Sequence, residues 1–238
     1  MTMLRNLIVG ISVFVCLFLV PQYPSGLLPA AFASWRNAGS ENPAAANGAD
    51  VIVLEDFARP VHEWKEMNDP VMGGESRGTF SVVSGVGVFR GHVVNVPFLQ
   101  APGFIQSRTI DHIPYPDVSS CQSLQLEVKA ETDYDGYRFS FGRTHAPGGK
   151  RFAFGYKVTM GKVDSGTWRN LTYPLSDFTD YWDDATGDAI RTCQEEARYC
   201  PDVRTLRNLG TMAIWGEGKA GNVSLAIKGI RAMKCASD

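Results

Sequence analysis

The 238-residue chain has no run of basic side chains, no CxxC pair, no internal repeat and little helical periodicity. Each absence removes a class of function. Its 23 basic and 25 acidic residues leave a net charge of −2, whereas a protein that neutralises many phosphates carries a basic stripe, so nucleic acid is excluded as a partner. Without CxxC spacing there is neither a zinc ribbon nor a redox pair. The four histidines, His62, His92, His112 and His145, are scattered, with none at i, i+4 beside a glutamate. No metal, no cofactor and no catalytic residue is expected. Strands do not alternate with helices, which argues against a hydrolase or dinucleotide-binding sheet. At 44% apolar residues the chain is too hydrophobic for disorder, and nothing in its composition marks a second folded domain.

Present instead are 24 glycines and 13 prolines among short β-prone runs. The first segment reads as an address. Arg5 is followed by an apolar core from Leu7 to Val20, shorter than the roughly 20 residues of a membrane span and of the size of a signal-peptide core. Ala31-Phe32-Ala33 offers a cleavage site before Ser34; retention as an anchor is the alternative. Residues 1–33 are assigned to targeting, 34–50 to a flexible Ala/Asn/Gly lead-in and 51–235 to one domain. Past the leader no stretch could span a membrane. The leader points to the secretory pathway or the extracellular space. Ala31-Phe32 with Ser34 and Arg36 also resembles the two-part leaders of complex plastids.

Four cysteines remain beyond Cys16: Cys121, Cys193, Cys200 and Cys235. An even number in an exported chain implies two disulfides, with three connectivities open. Cys193 with Cys200 would close a local loop, and Cys121 with Cys235 would join the ends of two strand-like runs; this pairing is favoured. Asn170-Leu171-Thr172 and Asn222-Val223-Ser224 are N-glycosylation sequons.

Strands are predicted over 51–57, 78–83, 86–96, 103–108, 124–130, 137–142, 151–159, 167–173, 206–215 and 223–233. In 124–129 apolar and polar residues alternate, placing the apolar ones on one face. Only 188–199 suits a short helix. Short strands punctuated by Gly and Pro predict an all-β sandwich of two antiparallel sheets. Gly74-Glu75-Ser76-Arg77-Gly78 matches the nucleophile elbow, but strand rather than helix residues follow it. Asp180-Tyr181-Trp182-Asp183-Asp184 gathers carboxylates and aromatics that could bind calcium or stack a sugar.

The stretch Trp64-Lys65-Glu66-Met67-Asn68-Asp69-Pro70-Val71-Met72-Gly73-Gly74-Glu75-Ser76 resembles the signature of the complex I intermediate-associated protein 30 family. Phe89-Arg90-Gly91, Gly103 to Arg108, Trp168 to Phe178 and Leu225 to Ile230 resemble further elements of that family in the same order. The resemblance implies a galactose-binding-like jelly roll and a non-enzymatic, chaperone-like role on protein partners in assembling respiratory complex I, and hence a mitochondrial site. The leader, the cysteines and an insertion around 183–202 depart from the family pattern.

Physically, Asn68, Asp69 and Pro70 suit a tight turn, and Gly73-Gly74 suits positive φ or close backbone approach. Trp64 is expected to lie over this loop, and Arg108 to pair with Asp69 or Glu75. Trp64, Asn68, Asp69, Met72, Gly73, Gly74, Ser76 and Arg108 are therefore either a rigid corner or a displayed binding surface. A secreted carbohydrate-binding module is the alternative function, with Tyr181, Trp182, Trp215 and Glu217 as glycan contacts.

Overall fold

In the computed structural model, the described residues are 51–69, 73–144 and 155–236. The leader and lead-in, Met72, His145 and the first residues of the strand expected over 151–159 lie outside them. The strands are β1 (Val51–Asp56), β2 (Trp64–Asn68), β3 (Arg77–Val83), β4 (Val86–Val93), β5 (Asn95–Val96), β6 (Ala101–Pro102) and β7 (Ile105–Thr109). After them come β8 (Ser123–Ala130), β9 (Tyr137–Phe141), β10 (Tyr156–Thr159), β11 (Arg169–Pro174), the short helix α1 (Val203–Arg207), β12 (Met212–Gly216) and β13 (Gly221–Met233).

Two antiparallel sheets form a jelly-roll sandwich. One runs β11-β8-β13-β4-β3, with β1 also paired to β13; the other runs β10-β9-β12-β7-β2. The long β13 meets β4 along residues 221–227 and β1 along 229–233, while β8 lies on its other side. Alternation in β8 behaves as strand geometry requires: Leu124, Leu126 and Val128 are fully buried, and Gln125, Glu127 and Lys129 are half-buried on the outer face. Facing them from the second sheet are Tyr137, Phe139, Phe141, Met212 and Ile214. Each such side chain contributes roughly 1.5–3 kcal/mol through burial.

β9 and β12 depart from alternation, for all five residues of each strand are buried. Their outer face is covered by the segment after β11, which crosses β10 through mutual backbone hydrogen bonds between Thr179 and Lys157. This second layer explains why polar positions of these strands lie inside.

Local chemistry corrects three expectations. Asp202 caps a helix by accepting the Thr205 amide at 2.7 Å, so Leu206 and Arg207 are helical and the strand begins only at Met212. Within 188–199, where a helix was expected, only Ala197–Tyr199 forms a single 3₁₀ turn, the disulfide at Cys193 and Cys200 closing the segment on itself. Residues 64–68, not among the expected strands, form β2.

Disulfides join Cys121 to Cys235 and Cys193 to Cys200, across separations of 114 and 7 residues. Loop-closure entropy makes the first the larger contributor, about 4–5 kcal/mol in the chain-entropy model. Replacing Cys121 and Cys235 together by serine is expected to lower unfolding free energy by about 3–5 kcal/mol in denaturant titration. Replacing Cys193 and Cys200 is expected to cost clearly less.

Candidate functional site

Two places gather the residues singled out in the sequence. The first is the corner where β2 ends. The Asn68 side chain accepts the Gly78 amide at 2.6 Å and donates to the Gly78 carbonyl at 3.2 Å. A side-chain amide thus imitates a peptide group and links the last residue of β2 to β3 in the opposite sheet. Asp69 is buried, and its backbone amide donates to the Phe104 carbonyl. Ser76, fully buried, accepts the Val94 amide at 3.0 Å and donates to the Val94 carbonyl. With its hydroxyl so engaged and β3 following, Ser76 is no elbow nucleophile. Gly73 has φ +82°, a left-handed conformation. At Gly103 an added Cβ would fall 2.7 Å from Ser76 Oγ, so the close approach there needs a residue without a side chain.

Two members of the set lie elsewhere than expected. Trp64 packs on Phe57 and Phe80 and donates Nε1–H to Glu55 at 2.8 Å, away from the glycine loop. Arg108 sits half-buried on the outer face of β7, opposite Lys65 and Ala213. Among the described residues it forms no ion pair with Asp69 or Glu75, because strand geometry carries it several residues along β7 from the corner.

The second place is the outer face of the β10-β9-β12-β7-β2 sheet. Here Lys157 Nζ lies 3.4 Å from the ring centroid of Trp182 and 3.9 Å from that of Trp215, and 2.5 Å from Glu217 Oε1. All four side chains are buried. Trp182 Nε1 donates to the Gly155 carbonyl and Trp215 Nε1 to Ser140 Oγ. Arg138, also buried, joins Asp188 at 2.9 Å and donates to the Gly187 carbonyl, pinning the covering loop. Burial pushes the Lys157 ammonium down to about 8, with Glu217 working against that shift. Trp182, Trp215 and Glu217 are therefore not a free sugar platform. Their faces are filled by a cation of the chain itself, an arrangement worth about 2 kcal/mol once desolvated. Tyr181 is half-buried and stacks on Tyr199 at 4.9 Å.

Asp183 accepts the Ala185 and Thr186 amides, Asp188 meets Arg138, and among the described residues no three His, Cys, Asp or Glu side chains are placed to hold a metal. Among the described residues four side chains carry unmatched buried polar atoms: both amide atoms of Gln106, next to Trp215 on the outer face, Ser107 Oγ, Thr132 Oγ1 and Asp180 Oδ1. Burial raises the Asp180 carboxyl to about 6, and Asp202 adds to the shift. Asn170 lies exposed on the edge strand β11; Asn222 is exposed beside His92, whose Nδ1 lies 2.8 Å from its Oδ1. Sequence reasoning missed Lys157 and Arg138. The signal available was a lysine and an arginine each flanked by aromatic or valine residues, in Tyr156-Lys157-Val158 and Tyr137-Arg138-Phe139.

The family profile described as Complex I intermediate-associated protein 30 matches residues 32–225. No curated protein sequence matches the chain significantly. Among solved structures, the family 11 carbohydrate-binding module of the cellulosomal cellulase Lic26A-Cel5E of Clostridium thermocellum is similar, with a TM-score of 0.52 and 15% identity over 81% of this chain and 99% of that one. A solution structure of CtCBM11 gives the same TM-score, identity and coverage. At such identity the likeness shows the fold alone.

Two outcomes test the buried charges. Lys157→Met strands the Glu217 carboxylate and is expected to lower stability by about 3–5 kcal/mol, whereas Lys157→Met with Glu217→Leu costs clearly less than the two single changes summed; a double-mutant cycle in denaturant measures this. Asp180 binds its proton more tightly folded than unfolded, so its contribution falls as pH rises from about 4 to about 6. Asp180→Asn is expected to flatten that part of the stability–pH profile and to raise stability at neutral pH by up to ~3 kcal/mol.

Proposed function

The chain belongs to the Complex I intermediate-associated protein 30 family, and from that premise we propose that it is a non-catalytic, chaperone-like binding protein that holds another polypeptide during assembly. The observation that carries this reading is the hairpin of β5 and β6. At its turn Phe98 is 76% exposed and Leu99 45% exposed, an apolar pair on a connection of four residues closed by the Leu99 amide on the Val96 carbonyl. The hairpin is rooted in the signature corner, since the Gly103 amide donates to the Val94 carbonyl that Ser76 also contacts. Signature residues thus act as the rigid mount, and the aromatic tip they hold out is the contact. An exposed aromatic on a stiff support meets an apolar segment of a partner at low entropic cost.

In a mitochondrial location, which the family name suggests, the client is an intermediate of complex I; in an exporting compartment, the alternative, it is another exported polypeptide. Two disulfides support an oxidising compartment, the secretory pathway or the extracellular space, with glycans on Asn170 and Asn222. Carbohydrate binding is the second reading. The jelly-roll fold shared with a family 11 carbohydrate-binding module supports it.

One experiment separates the two. The purified protein is expected to suppress light scattering by thermally unfolding citrate synthase, and a variant carrying Phe98→Ser and Leu99→Ser to lose most of that effect. Its unfolding free energy should shift by no more than about 0.5 kcal/mol, as for other exposed positions. Absent suppression, together with saturable binding on a glycan array, would replace the first reading by the second.

A further inference from the structure

A cleft of about 630 Å³ opens where the loops after β7 and β9 meet α1 and the residues preceding β12. This is the end of β7 opposite the Phe98 hairpin. Its volume falls within the range of small-molecule sites. Charge around it is asymmetric in availability. Asp111 is engaged by the protein itself, accepting the Glu63 amide at 2.5 Å and the Ile113 amide at 2.9 Å, with His62 Nδ1 at 3.0 Å. These donors hold its carboxyl below the usual carboxylate range, although burial opposes them. Asp202 likewise accepts the Thr205 amide at 2.7 Å and the Tyr156 hydroxyl at 3.4 Å.

The guanidinium groups are not so engaged. Among the described residues neither Arg143 nor Arg204 has a carboxylate partner. Arg143 donates Nε–H to Thr211 Oγ1 at 3.0 Å, which fixes the plane of the group and leaves both Nη atoms as a fork. The Thr144 and Thr205 hydroxyls, 3.3 Å apart, stand in the same lining. A planar fork matches two oxygens of an oxyanion, and nearby hydroxyls can donate to a third. Apolar lining comes from Ile113, Pro114 and Leu209, so the space exceeds what a bare anion fills.

We propose that this cleft binds a small organic phosphate or sulfate monoester, its oxyanion held by Arg143 and Arg204 and its carbon skeleton lying on Ile113, Pro114 and Leu209. Phosphate and sulfate share the tetrahedral geometry that the fork reads, and two probes separate them. The test is a titration followed by ¹H–¹⁵N NMR at constant ionic strength with glucose 6-phosphate, galactose 6-sulfate and glucose. At least one ester is expected to give saturable shifts at the amides of Gly142, Arg143, Thr144 and Gly210 with a Kd of about 1 mM or tighter; which ester binds better identifies the source. Arg204→Gln, an exposed substitution, and Arg143→Gln should each weaken binding about tenfold, the loss of one charge-assisted contact. Arg143→Lys should fall between wild type and Arg143→Gln, since it keeps charge without the fork. Absence of saturation with both esters would overturn the proposal. Equal shifts with glucose, or unchanged affinity in variants with native spectra, would overturn it too.

Discussion

Lys157 is the constraint around which the second sheet is arranged. An ammonium group without solvent costs several kcal/mol unless it is paired and surrounded. Here one carboxylate and two indole faces provide both. Each partner must then be held in place. The Trp182 ring is fixed by the Gly155 carbonyl, the Trp215 ring by Ser140, and the loop carrying Trp182 by Arg138 and by the Thr179 bridge to β10. The result is a sheet with side-chain layers on both faces. Trp182 and Trp215, expected from the sequence as sugar contacts, are here part of a second core.

With that face closed, the available chemistry moves to the ends of the sandwich. At one end Asn68, Asp69, Ser76 and Gly103 fasten the sheets and carry the Phe98 hairpin. At the other, Arg143 and Arg204 stand beside two hydroxyls, without a carboxylate partner among the described residues. β7 joins the two ends, with Ile105 near the corner and Thr109 near the cleft. Thr109 Oγ1 accepts the Met212 amide at 3.1 Å and the Tyr115 hydroxyl at 3.3 Å, so the strand has rigid anchors on both sides of its span.

Most of the framework was legible in the sequence because period-two alternation and turn residues report backbone directly. Residues 124–129 show it most clearly, with three aliphatic side chains on one face and three polar ones on the other. What stayed hidden depended on contacts between distant segments. Lys157 looks like an ordinary polar position of an alternating strand until the segment after β11 is laid over it. Trp182 and Trp215 are dozens of residues apart and share a cation only in three dimensions. Arg108 was matched to the wrong partners because proximity in sequence to the corner is not proximity along β7. The stretch 206–211 misled in a different way: its apolar content suits a strand, but the Asp202 cap starts a helix first.

β13 borders β1, β4 and β8 together, so the sheet that contains these strands has no centre until residue 233 has been made. Earlier strands emerging from the ribosome or a translocation channel carry unmatched edges and apolar faces for the whole of synthesis. Completion is thus a late, all-at-once event, and Cys121 must wait for Cys235 before it can oxidise correctly. Truncation before β13 would therefore leave β1, β4 and β8 with open edges, an aggregation-prone fragment rather than a smaller domain.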